Sequence, residues 1–446
     1  MNIALVRCPW IPFDNAVDIG FAYLAAAVTQ DGHHVTVFDE NITCFHDPAL
    51  PQAIISEYKK SNDCDVIARL GTRLVEMAPS TVRAAAEKIL AARPRVVGFN
   101  VWQYNGAFSI ALAQLLKQLE PSLFVVFGGP DAYPLLSGVS FMRESAVDLV
   151  VYGEAEATIR KVLDAYTASN AVPPMPGTIT KNNGVVCDNG FGDPVMDIDS
   201  IPHPWLEGFP VSLYPRRKIP IMFTRGCRFR CEYCPNGMYP CFRKRSPAGI
   251  MSEIRCRLAQ YPGMREFFVC DAAFNTDAEL MNGLSSLLIE ANTGATFTGF
   301  GVVNPRIDRA LMSRMYQAGV RLLVYGIESG SPRMLARFGK KQDLATIERT
   351  LQMTHEAGIN AGVDILIGMP GETDDDFDLT IRFLERNRHV VNYVGINTYG
   401  KLPYSYLHSH QDEFSFLPDE TQVSRLKIAW DTVRNLGLDA KMTREL

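Results

Sequence analysis

Three cysteines lie close enough together in the sequence for their thiolates to bind one metal cluster. Cys227, Cys231 and Cys234 are separated by three and by two residues. Three thiolates at this spacing can bind three irons of a four-iron cluster. The fourth iron then has no protein ligand, much as catalytic zinc sites keep an open position, so it can chelate a substrate and pass it an electron. The spacing therefore predicts a 4Fe-4S centre with one open iron.

A zinc site is the alternative interpretation of the same loop. Zinc takes four ligands in structural sites, and Cys241 lies at a suitable distance along the chain to be the fourth. Structural zinc loops, however, usually come as paired knuckles. The cysteines outside the triad are scattered, which favours small buried side chains over ligands; they are Cys8, Cys44, Cys64, Cys187, Cys241, Cys256 and Cys270.

The composition indicates a globular protein of more than one domain. The 446 residues are 47% hydrophobic and 21% charged, and the net charge of −5 argues against a general nucleic-acid binder. The chain begins with what looks like a buried strand instead of an export signal, and its apolar runs are too short to span a bilayer. We therefore expect a cytoplasmic protein with no membrane or nucleic-acid partner.

Two alternations of strand and helix are visible along the chain. Residues 1–168 contain five strands, with a long helical stretch over about 50–92, which predicts a doubly wound, Rossmann-like α/β domain. Residues 169–215 are expected to form a linker with a hairpin. Six strands, each followed by a helix, predict a partial (β/α)6 barrel over 216–400, and a short C-terminal segment follows over 401–446. The cysteine loop comes directly after the first barrel strand, at the edge where barrels place their chemistry.

The spacing of the cysteines, with Tyr233 before the last of them, resembles the signature of the radical S-adenosylmethionine (SAM) superfamily. The resemblance implies that SAM binds the open iron through its amino and carboxylate groups and that Tyr233 packs against the adenine. Reductive cleavage would then give methionine and a 5′-deoxyadenosyl radical. The electron would come from an external donor such as flavodoxin or ferredoxin.

Other strand ends of the predicted barrel resemble the same superfamily. Asp271 opens a stretch similar to its SAM-contacting loop, Gly326 to Gly330 resembles its ribose-contacting segment, and Gly368 to Thr373 resembles its loop near the adenine. On the residues alone, a carboxylate in the ribose segment fits a helix start, and the last stretch fits a simple turn. The resemblance implies SAM contacts from Tyr233, Asp271, Arg306, Glu328, Ser329, Gly368 and Pro370.

The front domain has no Gly-x-Gly-x-x-Gly after its first strand, which argues against a dinucleotide. The combination of domains instead resembles the cobalamin-dependent subclass of radical SAM enzymes, over about residues 1–400. Matching pieces include Gly32-His33 before the second strand, although position favours a turn histidine over a cobalt ligand. The resemblance implies cobalamin neighbours at Trp102, Gly128, Gly129, Pro130 and Gly153. A vestigial front domain is the alternative, because a fold does not fix a function.

The resemblance implies a cobalamin-dependent methyltransferase that acts on an unactivated centre of a small molecule through the adenosyl radical and methylcobalamin. Cyclisation or rearrangement in the same scaffold is the alternative. The tail is too short for the RNA-binding barrel of methylthiotransferases, and no effector domain of a sensor is visible. The residues Leu402-Pro403-Tyr404 stand where the subclass often has Pro-Gly-Thr. Candidate acids or bases near the last strand, each of which also fits a core position, are Tyr399, Tyr404 and His408.

Overall fold

The chain forms two compact units in a computed structural model. The units comprise Met1–Arg217 and Lys218–Leu446. The structure describes residues 1–9, 17–46, 64–102, 104–214, 218–238, 241–400 and 402–441. Within this described part of the chain, no helix is long and apolar enough to cross a membrane.

The first unit is built on a seven-stranded sheet with the order β2-β1-β3-β4-β5-β6-β7. The first five strands are parallel, and the last two form an antiparallel hairpin on the edge beside β5. The inner strands are almost wholly buried because helices cover parallel sheets on both faces. The strands are β1 (Asn2–Arg7), β2 (His34–Asp39), β3 (Val96–Asn100), β4 (Phe124–Gly128), β5 (Leu149–Val151), β6 (Thr178–Asn182) and β7 (Val185–Asp188).

Helices connect the parallel strands of this sheet. The strand order reverses direction between β1 and β3, as in doubly wound folds, which bind ligands outside the carboxyl ends of the strands at such a point. The helical stretch predicted over about 50–92 lies partly outside the described residues, which resume at position 64. The described part of this stretch forms two helices, Cys64–Met77 and Pro79–Ala91. The helices are α1 (Ile19–Gln30), α2 (Glu40–Phe45), α3 (Cys64–Met77), α4 (Pro79–Ala91), α5 (Gly106–Leu119), α6 (Val139–Arg143) and α7 (Ala155–Ser169).

The strand register places a row of polar residues along the carboxyl edge of the front sheet. Arg7 is paired with Asp39 on one side and with Asn100 on the other, and Asn100 is paired with Gly128. The Arg7 and Asp39 side chains form an ion pair at 3.4 Å with no solvent exposure, and the Tyr214 hydroxyl donates a hydrogen bond to the same carboxylate. Buried charges persist when they are paired, so this end of the sheet is held together by polar contacts.

The second unit contains a seven-stranded parallel sheet with the order β16-β15-β14-β13-β12-β11-β8. Strands that follow one another in sequence are also neighbours in space, which is the arrangement of an open barrel and confirms the predicted fold class. A short antiparallel pair, β9 with β10, lies apart from the main sheet. The strands are β8 (Lys218–Ile221), β9 (Thr224–Arg225), β10 (Arg243–Lys244), β11 (Glu266–Val269), β12 (Thr296–Gly301), β13 (Val320–Glu328), β14 (Asn360–Ile367), β15 (Tyr393–Thr398) and β16 (Asp439–Lys441).

Polar N-caps start most helices of the second unit. An Asp, Ser or Thr side chain accepts a hydrogen bond from the third residue after it at seven of the eight helices below, and α13 also has a complete capping box. These caps fix where each strand-to-helix loop ends. The helices are α8 (Pro247–Gln260), α9 (Ala278–Ala291), α10 (Arg309–Gln317), α11 (Pro332–Arg337), α12 (Leu344–Glu356), α13 (Asp374–Asn387), α14 (Tyr406–Ser409) and α15 (Asp419–Asn435).

The C-terminal segment contributes a strand to the barrel sheet. Residues 439–441 form β16, which pairs in parallel with β15 and extends the sheet by one strand. α15 packs against this edge, with Ala429 and Val433 fully buried. The segment is thus part of the barrel sheet.

Gly129 shows how tightly the front sheet edge is packed. Its φ of +112° lies in the left-handed region, and a Cβ there would stand 2.8 Å from the carbonyl oxygen and 2.9 Å from the nitrogen of Val101. Gly184 also has a positive φ, +81°, but a Cβ there would meet nothing within 4 Å. The two glycines therefore share the conformational requirement, and only Gly129 has the steric one.

We expect Gly129→Ala to destabilise the protein far more than Gly184→Ala. The left-handed conformation alone costs a non-glycine residue roughly 1–2 kcal/mol, and the close approach to Val101 adds a displacement of backbone. Chemical denaturation of the two variants beside the wild type measures the difference. Equal losses for both variants would contradict the packing role of Gly129.

Candidate functional site

The three clustered cysteines lie in the loop between β9 and β10, and each is half-buried. The backbone N–H of Cys234 donates to the carbonyl of Cys231 at 3.1 Å, and the N–H of Phe229 points at the Cys227 sulfur at 3.5 Å. Backbone N–H groups aimed at sulfur stabilise a thiolate. The loop therefore has the curvature and the donors that a thiolate ligand set needs.

Two other segments hold this loop through its backbone. The N–H of Glu232 donates to the carbonyl of Phe338 at 3.2 Å, and the N–H of Leu407 donates to the carbonyl of Glu232 at 3.0 Å. One segment follows α11 and the other is α14, so Glu232 is fixed through both its N–H and its carbonyl group. The position of the second cysteine thus depends on elements more than 100 residues away along the chain.

Asp277 fixes the loop from a third direction. Its carboxylate accepts a hydrogen bond from Arg228 of the cysteine loop at 2.6 Å and from Lys244 of β10 at 3.1 Å. The same side chain caps α9 by accepting from the N–H of Leu280. These cations, together with the cap, hold the pKa of Asp277 below its ordinary value despite some burial.

The structure does not assemble the zinc site that Cys241 would complete. Among the described residues, which include all four cysteines concerned, no three histidine, cysteine, aspartate or glutamate side chains converge on a single ion. A four-iron cluster does not need such convergence, because each thiolate binds a different iron. Cys241 has a local role instead: its carbonyl passes so close to Gly226, at φ +75°, that a Cβ would not fit there.

Tyr233, Glu328 and Lys340 form a buried polar group beside the cysteines. The Tyr233 hydroxyl donates to the Glu328 carboxylate at 3.0 Å, and the Lys340 ammonium donates to that carboxylate at 2.9 Å and to the hydroxyl at 3.2 Å. Burial raises the pKa of the Cys231 thiol, and the Lys340 ammonium opposes this rise. Burial alone would lower the pKa of Lys340, but Glu328 and the cysteines outweigh it and raise that pKa. The lysine is therefore charged at neutral pH.

Glu328 reaches this group through an irregular strand end. The pairing of β13 with β14 shifts register between Gly326 and Glu328, and Glu328 has a φ of +70°, which is unfavourable for a residue with a side chain. A Cβ on Gly326 would stand 2.6 Å from a carboxylate oxygen of Glu328. The bulge and the glycine together aim the carboxylate at Tyr233, and such local strain is typical of functional sites.

Asp271 and Ser329, both expected to contact SAM, are engaged within the protein. Asp271 accepts from the N–H of Phe223 at 2.8 Å and from the Thr224 hydroxyl at 2.6 Å, and it is 3% exposed. The Ser329 hydroxyl lies 3.1 Å from that of Thr380. Asp271 thus joins β11 to the start of the cysteine loop, and Ser329 joins β13 to α13.

The remaining expected SAM neighbours lie at two strand ends. Arg306 is exposed after β12. Gly368 has a φ of +80° and donates its N–H to the Glu372 carboxylate at 3.0 Å, while Pro370 is buried in the same loop. Glu372 is paired in turn with Arg425 at 2.6 Å, so α15 supports the loop after β14.

Two of the three candidate acids or bases have buried polar atoms that lack a hydrogen-bond partner. Tyr399, directly after β15, is 7% exposed and packs in an apolar cluster with Tyr233 and Leu407, and its hydroxyl has no partner. His408 on α14 has an unpartnered Nδ1. Tyr404 lies in the preceding turn with a φ of +66°. Buried polar atoms are normally satisfied, so the first two atoms are candidates for contact with a bound molecule.

The carboxyl edge of the front sheet also contains an unsatisfied acceptor. The Asn100 side chain donates to Asp18 at 3.0 Å, but its buried Oδ1 has no hydrogen-bond partner among the residues that the structure describes. Gly153 has a φ of +82°, and the nearest atom to a Cβ there would be Phe191 Cδ1 at 4.0 Å. The open space at Gly153 and the buried Oδ1 acceptor of Asn100 are suited to a ligand.

The other expected cobalamin neighbours surround this edge. Trp102 is half-buried just after β3, Gly128 ends β4, and Pro130 is exposed at the start of the following turn. Gly129, as described above, is required by packing against Val101.

Sequence reasoning missed Lys340 and Asn100. Lys340 lies 12 residues after Glu328 and on the far side of α11, so no spacing rule connects the two residues. Asn100 ends a strand whose pattern is apolar, and an unsatisfied atom is visible only in three dimensions. A polar residue at the end of an apolar parallel strand was the available signal for Asn100.

Comparison with known proteins agrees with this geometry. Residues 221–384 match the family model described as the Radical SAM superfamily. An uncharacterized methyltransferase of Pyrococcus horikoshii is 26% identical over 303 residues, 66% of this chain and 64% of its own length. The matches with two further curated relatives span 58% and 50% of their lengths.

Two solved structures share the fold over nearly the whole chain. One is the radical SAM methyltransferase TsrM from Kitasatospora setae with cobalamin and a 4Fe-4S cluster bound, at 17% identity and a TM-score of 0.65 over 91% of this chain and 73% of that one. The other is the cobalamin-dependent radical enzyme OxsB, at 15% identity and a TM-score of 0.69 over 98% and 62%. These likenesses establish the fold, and they confirm at that level the resemblance seen in the sequence.

Asp271 makes the stability of the protein depend on pH. Burial raises the pKa of this carboxyl to about 7 from an ordinary value of 3.8, although its hydrogen bonds oppose the rise. The folded state thus holds a proton that the unfolded state releases. This contribution to stability is fully present below the unfolded pKa and is lost as the pH rises through about 7.

We expect Asp271→Asn, which resembles the protonated form, to remove that dependence. As the pH rises from about 4 to about 8, the wild type should lose stability relative to the variant. Thermal unfolding midpoints of both proteins across this range measure the difference. Parallel pH profiles would show that Asp271 titrates as an ordinary carboxyl group.

Proposed function

We propose that this chain, which carries a radical SAM domain, is a cobalamin-dependent radical SAM methyltransferase for a small-molecule substrate. The observation that carries the proposal is the cysteine loop. Three cysteines with the required spacing are fixed in the radical SAM domain next to the buried group of Tyr233, Glu328 and Lys340. An external one-electron donor such as flavodoxin or ferredoxin would supply the reducing electron.

The residues of the second unit fit an iron–sulfur cluster and SAM. Cys227, Cys231 and Cys234 would hold the cluster, and together with SAM it would supply a carbon-centred radical. Tyr233 and Glu328 would face the nucleoside, with Asp271, Arg306, Ser329, Gly368 and Pro370 in the surrounding strand-end loops. Tyr233 and Glu328 already bond to each other, and Asp271 and Ser329 bond to other parts of the protein, so these loops would bind largely through preformed backbone.

The front sheet edge fits the nucleotide-bearing side of a corrin. The unpartnered Oδ1 of Asn100 is an acceptor, and the corrin periphery carries carboxamide donors. The open space at Gly153 allows close approach of a ligand to the backbone. Trp102, Gly128, Gly129 and Pro130 lie along the same edge, and cobalamin would supply a carrier for the methyl group.

Tyr399 and His408 are the residues that we propose for the substrate. Each has a buried polar atom without a partner among the described residues, and both belong to the segment next to Tyr233. A substrate hydroxyl, amide or carboxylate would satisfy them. Tyr404, in the strained turn between them, is a third candidate.

Anaerobic reconstitution tests the proposal as a whole. The protein is loaded with iron, sulfide and hydroxocobalamin, then given SAM and a strong reductant; absorbance, 5′-deoxyadenosine and S-adenosylhomocysteine are measured. We expect a cluster band, bound corrin and both products. Cys231→Ala should abolish deoxyadenosine formation, whereas Cys187→Ala, which removes an exposed cysteine outside the loop, should leave it unchanged.

The other outcomes of this experiment each support a different function. Deoxyadenosine without corrin uptake would leave a radical SAM enzyme with a vestigial front domain. A product with unchanged methyl content, identified by its mass, would support cyclisation or rearrangement. Absence of a cluster from folded protein, with zinc retained by the wild type and lost from Cys241→Ala, would restore the zinc interpretation.

Asn100→Ala should weaken hydroxocobalamin binding. Loss of one buried hydrogen bond costs about 1.4 kcal/mol, which is roughly tenfold in the dissociation constant. Asp18→Ser is the matched control, because it removes the existing partner of the Asn100 amide, keeps a capping hydroxyl for α1 and leaves Oδ1 in place. Corrin absorbance after equilibrium dialysis measures both affinities, and equal affinities for both variants would exclude Asn100 as a contact.

A further inference from the structure

The ion pair of Lys340 and Glu328 is unusual for its depth in the protein. The Lys340 side chain is 10% exposed and that of Glu328 is 18% exposed, and their charged atoms are 2.9 Å apart. Lysine and glutamate are rarely buried unless they are paired, and burying both costs several kcal/mol of desolvation in general. A pair of this kind beside three thiolates calls for an electrostatic explanation.

The ion pair contacts the cysteine loop through Tyr233, the residue directly before Cys234. The Tyr233 hydroxyl accepts a hydrogen bond from Lys340 at 3.2 Å and donates one to Glu328 at 3.0 Å. The turn that carries the lysine also touches the cysteine loop directly: Phe338 accepts the hydrogen bond of Glu232, and the Cβ position of Gly339 is 3.5 Å from the Arg230 carbonyl.

A charge at this place affects electron uptake by any cluster that the cysteines hold. Reduction adds one negative charge to the cluster and its thiolates. A buried cation stabilises the added charge because little water screens it, and a buried anion destabilises it. An exposed cation at the same distance has a much smaller effect.

We propose that the Lys340–Glu328 ion pair sets the reduction potential of the cluster bound by Cys227, Cys231 and Cys234, with Lys340 raising the potential and Glu328 lowering it. The proposal rests on the cluster of the proposed function. It makes Lys340 a positioning residue that acts on the cluster through space and through Tyr233.

Potentiometric titration of the reconstituted full-length protein, without SAM or corrin, tests this proposal by the spectroscopic signal of the reduced cluster. Lys340→Met should lower the reduction potential by at least about 59 mV, which for one electron is a tenfold change in the ratio of reduced to oxidised cluster. Glu328→Gln should shift the potential upward, because the ammonium then acts alone. Arg230→Met is the matched control: this exposed cation precedes Cys231 directly, and its loss should leave the potential unchanged.

The signs of the two shifts decide the proposal. An unchanged potential in Lys340→Met, or a downward shift in Glu328→Gln, would overturn it. If Lys340→Met does not assemble a cluster, Glu328→Gln decides alone, and Lys340→Arg should match the wild type. A wild type that binds no cluster would instead overturn the proposed function, which is a separate result.

Discussion

A loop that presents three thiolates needs support from groups that are not themselves ligands. In this protein part of that support acts on a single residue, Glu232, whose N–H and carbonyl are bonded to Phe338 and Leu407. The two hydrogen bonds come from the segments that follow β13 and β15. The cysteine loop therefore reaches its final position only when most of the second unit has folded. A site assembled in this way is preorganised, since the cost of ordering its loop is met by folding and not by ligand binding.

The same dependence explains why a strained residue persists at the end of β13. Glu328 occupies a left-handed conformation next to a register shift, which costs of the order of 1–3 kcal/mol. The carboxylate gains hydrogen bonds from Tyr233 and Lys340 that a regular strand would not allow. Gly326 leaves room for the carboxylate, since a Cβ at that position would stand 2.6 Å from a Glu328 oxygen. The strained conformation thus places the Glu328 carboxylate within hydrogen-bonding distance of Tyr233 in the cysteine loop.

The cysteine spacing, the alternation of strands and helices, and the absence of a dinucleotide loop were enough to predict the fold class of both units. Those features are local, or they repeat along the chain. The sequence did not predict β16, because its three residues show no apolar alternation and pair with a strand that is distant along the chain. Lys340 and Asn100 were missed for a similar reason, since their significance lies in contacts between distant strand ends.

Polar residues at the strand ends divide into two classes that the sequence does not distinguish. Asp271 is hydrogen-bonded to the start of the cysteine loop and Ser329 to α13, and these contacts fix the loops around them. Tyr399, His408 and Asn100 each retain a buried atom without a partner. An unsatisfied buried atom costs about 1–3 kcal/mol in general, and a bound ligand that supplies a partner would offset that cost. We therefore propose the second class as the residues that contact ligands, whereas the first class holds the surrounding loops in place.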